Sequence, residues 1–99
     1  MIHVLAIITA KPGKRDALLE LFNANVPAVH AEDGCIEYGA VIDVPDTKPA
    51  FGDDVFVVVE KWASLDALKA HAASQHMADY GKRAKDLIAD RAVHVMQGV

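Results

Sequence analysis

VFVVVEKW, residues 55–62, runs straight into ASLDALKAH, residues 63–71, and the reading of that junction decides the fold. Four valines and a phenylalanine open the first segment, the β-branched and aromatic types that suit a pleated strand. The run stays apolar on both faces until Glu60 and Lys61, so the strand is expected to be covered on both sides. The period then changes. Ser64 is a good N-cap, Asp66 falls in the first turn where the helix dipole favours negative charge, and Leu65, Leu68 and Ala72 form a helical stripe. On the strand, Glu60 and Trp62 share a face with Phe56 and Val58. If that face meets the helix, His71, two turns along, reaches the same space.

Working outward gives the remaining elements. A break near Ser74–Gln75 precedes a second helical piece, roughly 76–89, that carries Met77, Tyr80, Ala84, Leu87 and Ile88; residues 91–99 then read as a strand. Upstream, residues 2–10 form a strand with Ile2, Val4, Ala6 and Ile8 on one face and His3, Leu5, Ile7 and Thr9 on the other. KPG breaks it, and a helix is predicted from Lys14 to His30, with Pro27 expected to kink or restart it. EDG, 32–34, turns into a strand over 35–44, and the proline- and aspartate-rich stretch 45–54 is a loop. The order β-α-β-β-α-β predicts an α+β, ferredoxin-like split βαβ domain spanning 1–99. Its helices lie on one face of an antiparallel sheet. The apolar character of the other face predicts a homodimer with two sheets packed together.

Composition narrows the function. A net charge of −4 and a sequence pI near 5.6 argue against a nucleic-acid partner. Lys82, Arg83 and Lys85 sit beside Asp86 and read as a solvated helix face. The single cysteine, Cys35, allows no intramolecular disulfide and fits a reducing compartment. The N-terminus lacks a signal-peptide pattern, and the run Val55–Val59 is too short to span a bilayer, so a cytoplasmic protein without a membrane partner is expected.

No G-x-G-x-x-G, P-loop or H-E-x-x-H pattern is present. His71 and His76, placed on one continuous helix, would diverge by roughly 140° at about 100° per residue, so no metal site is expected. What remains is an apolar pocket offering an imidazole from His71, a carboxylate from Glu60 and an indole N–H from Trp62. Each also has a plain packing role: Trp62 closing the core, Glu60 as a solvated strand end, His76 at a helix start, Tyr38 along its strand.

EDGCIEY at 32–38 and VVVEKWASLDALKAHAASQHMADY at 57–80 resemble the antibiotic biosynthesis monooxygenase family. The resemblance rests on Glu32, Gly34, Cys35 and Tyr38, on Glu60 and Trp62, and on His71, Ser74 and His76; VLAIITAKPGKRDALLELF at 4–22 is similar as well. It implies a dimeric α+β barrel with the pocket between sheet and helices, and Trp62 and His71 on the pocket wall. Within the family the chain is most similar to the quinol monooxygenase subgroup. That implies oxidation of a small quinol-like aromatic by dioxygen with neither metal nor organic cofactor. The chemistry such a reaction needs then makes His71 and Trp62 the expected catalytic residues, and Glu60, Tyr38, Phe56, His76, Met77 and Tyr80 the expected substrate-binding residues. The haem-degrading branch is disfavoured because Ile7 or Ile8 stands near its asparagine, His71 at its tryptophan and Gly81 near its axial histidine. Val58 replaces the asparagine of the polyketide-tailoring branch. The branch acting on phosphorylated signalling sugars is disfavoured because no basic cluster is expected near the pocket. Two other classes stay open: a ligand-binding dimer without catalysis, and an isomerase or lyase acting on a small oxygenated metabolite.

Overall fold

A computed structural model describes residues 1–99. Strand β1 (Ile2–Ala10) leads to helix α1 (Arg15–His30), strand β2 (Cys35–Val41) and strand β3 (Val55–Trp62). Helices α2 (Leu65–Ala72) and α3 (Gln75–Ala84), a 3-10 turn (Lys85–Leu87) and strand β4 (Ile88–Gln97) follow. The sheet has the order β2-β3-β1-β4 and every pairing is antiparallel, the ferredoxin-like arrangement.

The β1–β3 register places Val4 opposite Glu60, Ala6 opposite Val58 and Ile8 opposite Phe56. All six side chains therefore project toward the helices. Leu18, Phe22 and Val29 of α1 pack onto this face, together with Trp62 and Ala84, as the buried core. Phe22 is its centre: the ring stacks on Tyr38 at 5.3 Å and meets Phe56 at 5.7 Å and Tyr80 at 6.2 Å. The opposite face has no helix. Leu5, Val41 and Met96 are exposed there by 37%, 52% and 42%, so it is apolar and uncovered within one chain. His3 and His94 lie on that face, away from the helices.

Three boundaries differ from the sequence expectation. Helix α1 runs through Pro27 without restarting; the proline stands in the last turns, where one missing N–H costs a single bond, and its own carbonyl still accepts from the Ala31 N–H. Strand β2 stops at Val41, and beyond it the Asp43 carboxylate accepts the N–H groups of Phe51 and Gly52, which ties the chain into the loop. Residues 85–87 form a 3-10 turn and Ile88 already belongs to β4. Leu87 and Ile88 fit a helical stripe, but the Lys11 N–H bonds the Leu87 carbonyl and Ile88 pairs with Ala10, which ties both to the sheet. No helix is long and apolar enough to cross a membrane.

Candidate active site

The site forms where α2 starts over the end of β3. Ser64 is extended, and its side chain accepts the Ala67 N–H at 3.1 Å, which fixes the first turn. The preceding turn is drawn close: the Ala63 N–H bonds the Gly34 carbonyl at 2.8 Å. Gly34 has φ +82°, and a Cβ there would lie 2.7 Å from the Ala67 Cβ. Only glycine lets the Glu32–Gly34 turn approach α2 this tightly. That approach delivers Glu32 to His71.

His71 is 5% exposed, and its Nδ1 donates to Glu32 Oε2 at 2.7 Å. Its ring packs against Trp62 at a centroid distance of 4.6 Å and against Tyr38 at 5.4 Å. Helix α2 ends just beyond it, where the Ser74 hydroxyl donates to the His71 carbonyl at 2.7 Å. The chain then restarts as α3 and swings His76 back, so that its Nε2 donates to the same Glu32 oxygen at 3.2 Å. The expectation that His71 and His76 diverge is thus corrected. It assumed one continuous helix, and the break at Ser74 removes that premise. The donor atoms of Glu32, His71 and His76 lie within 4.8 Å of one another, two imidazoles and a carboxylate of the kind that ligate divalent transition metals.

The second carboxylate, Glu60, is only 7% exposed, and its Oε1 accepts the Trp62 Nε1–H at 2.9 Å. Burial pushes the Glu60 carboxyl above the ordinary range, opposed by the Trp62 hydrogen bond and by the charges of His71 and Arg91. A carboxyl whose pKa is higher folded than unfolded binds its proton more readily in the native state. Its presence therefore costs stability increasingly as pH rises through the window between the two values. Glu60→Gln keeps the acceptor for Trp62 and removes the buried charge. It should raise the Tm at pH 8, with the gain vanishing toward about pH 4, where the unfolded carboxyl also protonates; thermal melts across that range check this. Tyr38 is also buried, and burial, reinforced by the negative charge of Glu60, holds its phenol far above the ordinary value, so it is a hydrogen-bond donor at neutral pH.

Between the sheet and helices α2 and α3 lies a largely apolar cavity of about 480 Å³. Tyr38, Glu60, His71, Met77 and Tyr80 line it, bringing together five of the eight residues singled out from the sequence. The other three are elsewhere. Trp62 and Phe56 are 0% exposed and line no part of the cavity. They support its wall from behind, and the Trp62 N–H is already taken by Glu60. Strand parity gives the face of Trp62 and Phe56 but not their depth, and the family resemblance that also put Trp62 on the pocket wall does not give it either. His76 lies behind the wall, on a smaller recess beside Asn25 and Arg83. The carboxylate that fixes His71 is Glu32, while Glu60 holds the Trp62 indole. The expected lack of basic groups near the pocket is also corrected, because Lys85 and Arg91 line the cavity.

Residues 1–83 match the sequence profile of the family described as antibiotic biosynthesis monooxygenase. The chain belongs to that family. Among antibiotic biosynthesis monooxygenases it is 31% identical over 101 residues to the probable quinol monooxygenase YgiN of Escherichia coli, covering 98% of this chain and 97% of the relative. The crystal structure of PA3566 from Pseudomonas aeruginosa superposes with a TM-score of 0.83 at 26% identity, covering 99% of this chain and 93% of the other. Rv0793 from Mycobacterium tuberculosis gives a TM-score of 0.83 at 27% identity, covering 99% and 94%. The contact of Glu32 with His71 spans 39 positions in sequence, so no local spacing reveals it, and only the family resemblance marks Glu32. Lys85 and Arg91 carried no local signal pointing to the cavity.

Proposed function

We propose that this protein is a cofactor-independent monooxygenase that oxidises a small quinol-like aromatic with dioxygen. The observation that carries the reading is a single histidine presented to a largely apolar cavity with its far nitrogen fixed by a carboxylate. The name carried by the Escherichia coli relative supports it. The cavity volume, about 480 Å³, falls within the roughly 300–1,000 Å³ of small-molecule sites.

Dioxygen in its triplet ground state reacts slowly with closed-shell molecules. A quinolate removes that barrier itself by giving one electron to dioxygen. The protein has to bind the quinol, take its proton and exclude water. Because the Nδ1–H of His71 is engaged by Glu32, the neutral ring leaves Nε2 as the acceptor. His71 Nε2 takes the phenolic proton, and Glu32 stabilises the imidazolium that results. Tyr38, whose hydroxyl has no hydrogen-bond partner in the protein, donates to the developing oxyanion. Glu60, through the oxygen not bonded to Trp62, accepts from or donates to the substrate according to its protonation. Met77, Tyr80 and Phe22 supply apolar wall. For an unsubstituted 1,4-naphthoquinol the balance is quinol plus dioxygen to hydroxynaphthoquinone plus water. One oxygen atom enters the ring, and both quinol hydrogens and the displaced ring hydrogen are accounted for by water and the new hydroxyl. The uncovered sheet face, with Leu5, Val41 and Met96, would be covered by a second protomer.

Turnover under ¹⁸O₂ tests the reaction type. One labelled atom per product molecule and no product under argon are expected. Lys85 and Arg91 favour a second reading, an isomerase or lyase acting on a small anionic metabolite with His71 as base. Turnover without dioxygen would select it.

A further inference from the structure

The cavity has two chemically different ends. Glu60 and Tyr38 face each other across β3 and β2 and, with His71, form an acid–base end. Arg91 pairs with Ile8, four residues along β1 from Val4, the partner of Glu60. Arg91 is thus displaced from Glu60 by about 13 Å along the strands and about 10 Å across them at the backbone, from standard strand rise and spacing. It projects to the helix side like Val93, and Lys85 approaches the cavity from the 3-10 turn above it. The chain has 14 carboxylate side chains against 10 lysines and arginines, yet neither Lys85 nor Arg91 makes an ion pair or a side-chain hydrogen bond. Arg91 acts instead on the cavity itself: its charge counters the effect of burial on both Glu60 and Tyr80. Two unpaired cations at one edge of an apolar cavity, diagonal to the acid–base end, are a recognition element for an anion.

We propose that Arg91, assisted by Lys85, binds an anionic substituent of the substrate at the end of the ring system remote from the reacting hydroxyl. This rests on the reading of the cavity as the substrate site and specifies the substrate class: a quinol that carries an anionic group on its ring system opposite the reacting hydroxyl, bound more tightly than the neutral quinol. A bicyclic ring with groups at its two extremities places one at His71 and the other toward Arg91, whose long side chain covers part of the remaining distance. A group adjacent to the hydroxyl does not reach.

Three naphthalene probes that undergo no turnover separate the cases by fluorescence titration at pH 7: 2-naphthol, 6-hydroxy-2-naphthoate with the groups at opposite ends, and 3-hydroxy-2-naphthoate with them adjacent. The expected result is that 6-hydroxy-2-naphthoate binds about tenfold more tightly than either of the others, the scale of one charge-assisted contact at a partly solvated site. Arg91→Met and Lys85→Met should remove that advantage without changing the affinity for 2-naphthol, Arg91→Lys should retain part of it, and added NaCl should reduce it. Equal binding of all three probes, or an equal loss for all three in Arg91→Met, would overturn the anionic subsite and leave the cavity as substrate site. No binding of any probe would overturn both. Arg91 and Lys85 are exposed, so their replacement leaves the core intact.

Discussion

Alanine at position 71 should lower protein-dependent quinol oxidation by about 10²–10⁴-fold, the usual contribution of a general base. His71 is the only imidazole that lines the cavity. Glu32→Gln tests the partner. It leaves an acceptor for the Nδ1–H but removes the charge that stabilises the imidazolium, so kcat should fall by about 10–100-fold with KM little changed. Glu32 is a positioning residue, and a fall in activity alone could reflect a damaged turn. The double variant decides: in a His71→Ala background, Glu32→Gln should cost nothing further, because two residues acting as one unit are non-additive. Steady-state kinetics of the four proteins measure this. Additive losses would mean that Glu32 acts independently of the base.

Trp62 should dominate stability rather than catalysis. Its side chain is among the largest fully buried in the chain, and Trp62→Ala is expected to cost about 3–5 kcal/mol. At about 4–8 °C per kcal/mol for a domain of this size, the Tm should fall by roughly 12 °C or more. Trp62→Phe separates volume from hydrogen bonding. It keeps much of the ring but leaves the buried Glu60 carboxylate without its indole donor, a loss of about 1–3 kcal/mol. Removing that donor pushes the Glu60 carboxyl further above its ordinary range. The penalty should therefore be largest at pH 8 and shrink as pH falls and Glu60 protonates. Calorimetry at several pH values checks it. A loss independent of pH would mean that the indole matters only as packing.

Much of this architecture is visible in the residues. The change from period two at Val55–Trp62 to a capped helix after Ser64 fixes a strand–helix junction, and strand parity correctly puts Glu60 on the helix-facing side. Parity fails for Trp62 and Phe56 because it assigns a face without saying which side chains on that face reach open space. Trp62 lies beneath His71, and Phe56 beneath Phe22. His76 was misjudged because 3.6-residue geometry holds only within one helix, and a single Ser74 side-chain bond to the His71 carbonyl accompanies the break. Glu32 and Arg91 join the site through the turn before β2 and through the β1–β4 register, contacts between distant segments that no local spacing encodes.

On the proposed mechanism, quinol oxidation takes place at the Glu32–His71 pair without a metal. Its most direct test is dioxygen uptake on 1,4-naphthoquinol by protein stripped with a chelator, set against His71→Ala and against buffer alone, since quinols autoxidise. Uptake by the stripped wild type well above both controls, unchanged when Zn²⁺, Fe²⁺ or Mn²⁺ is restored, is the predicted result. Equal uptake in all three samples, or activity that returns only with the metal, would contradict it.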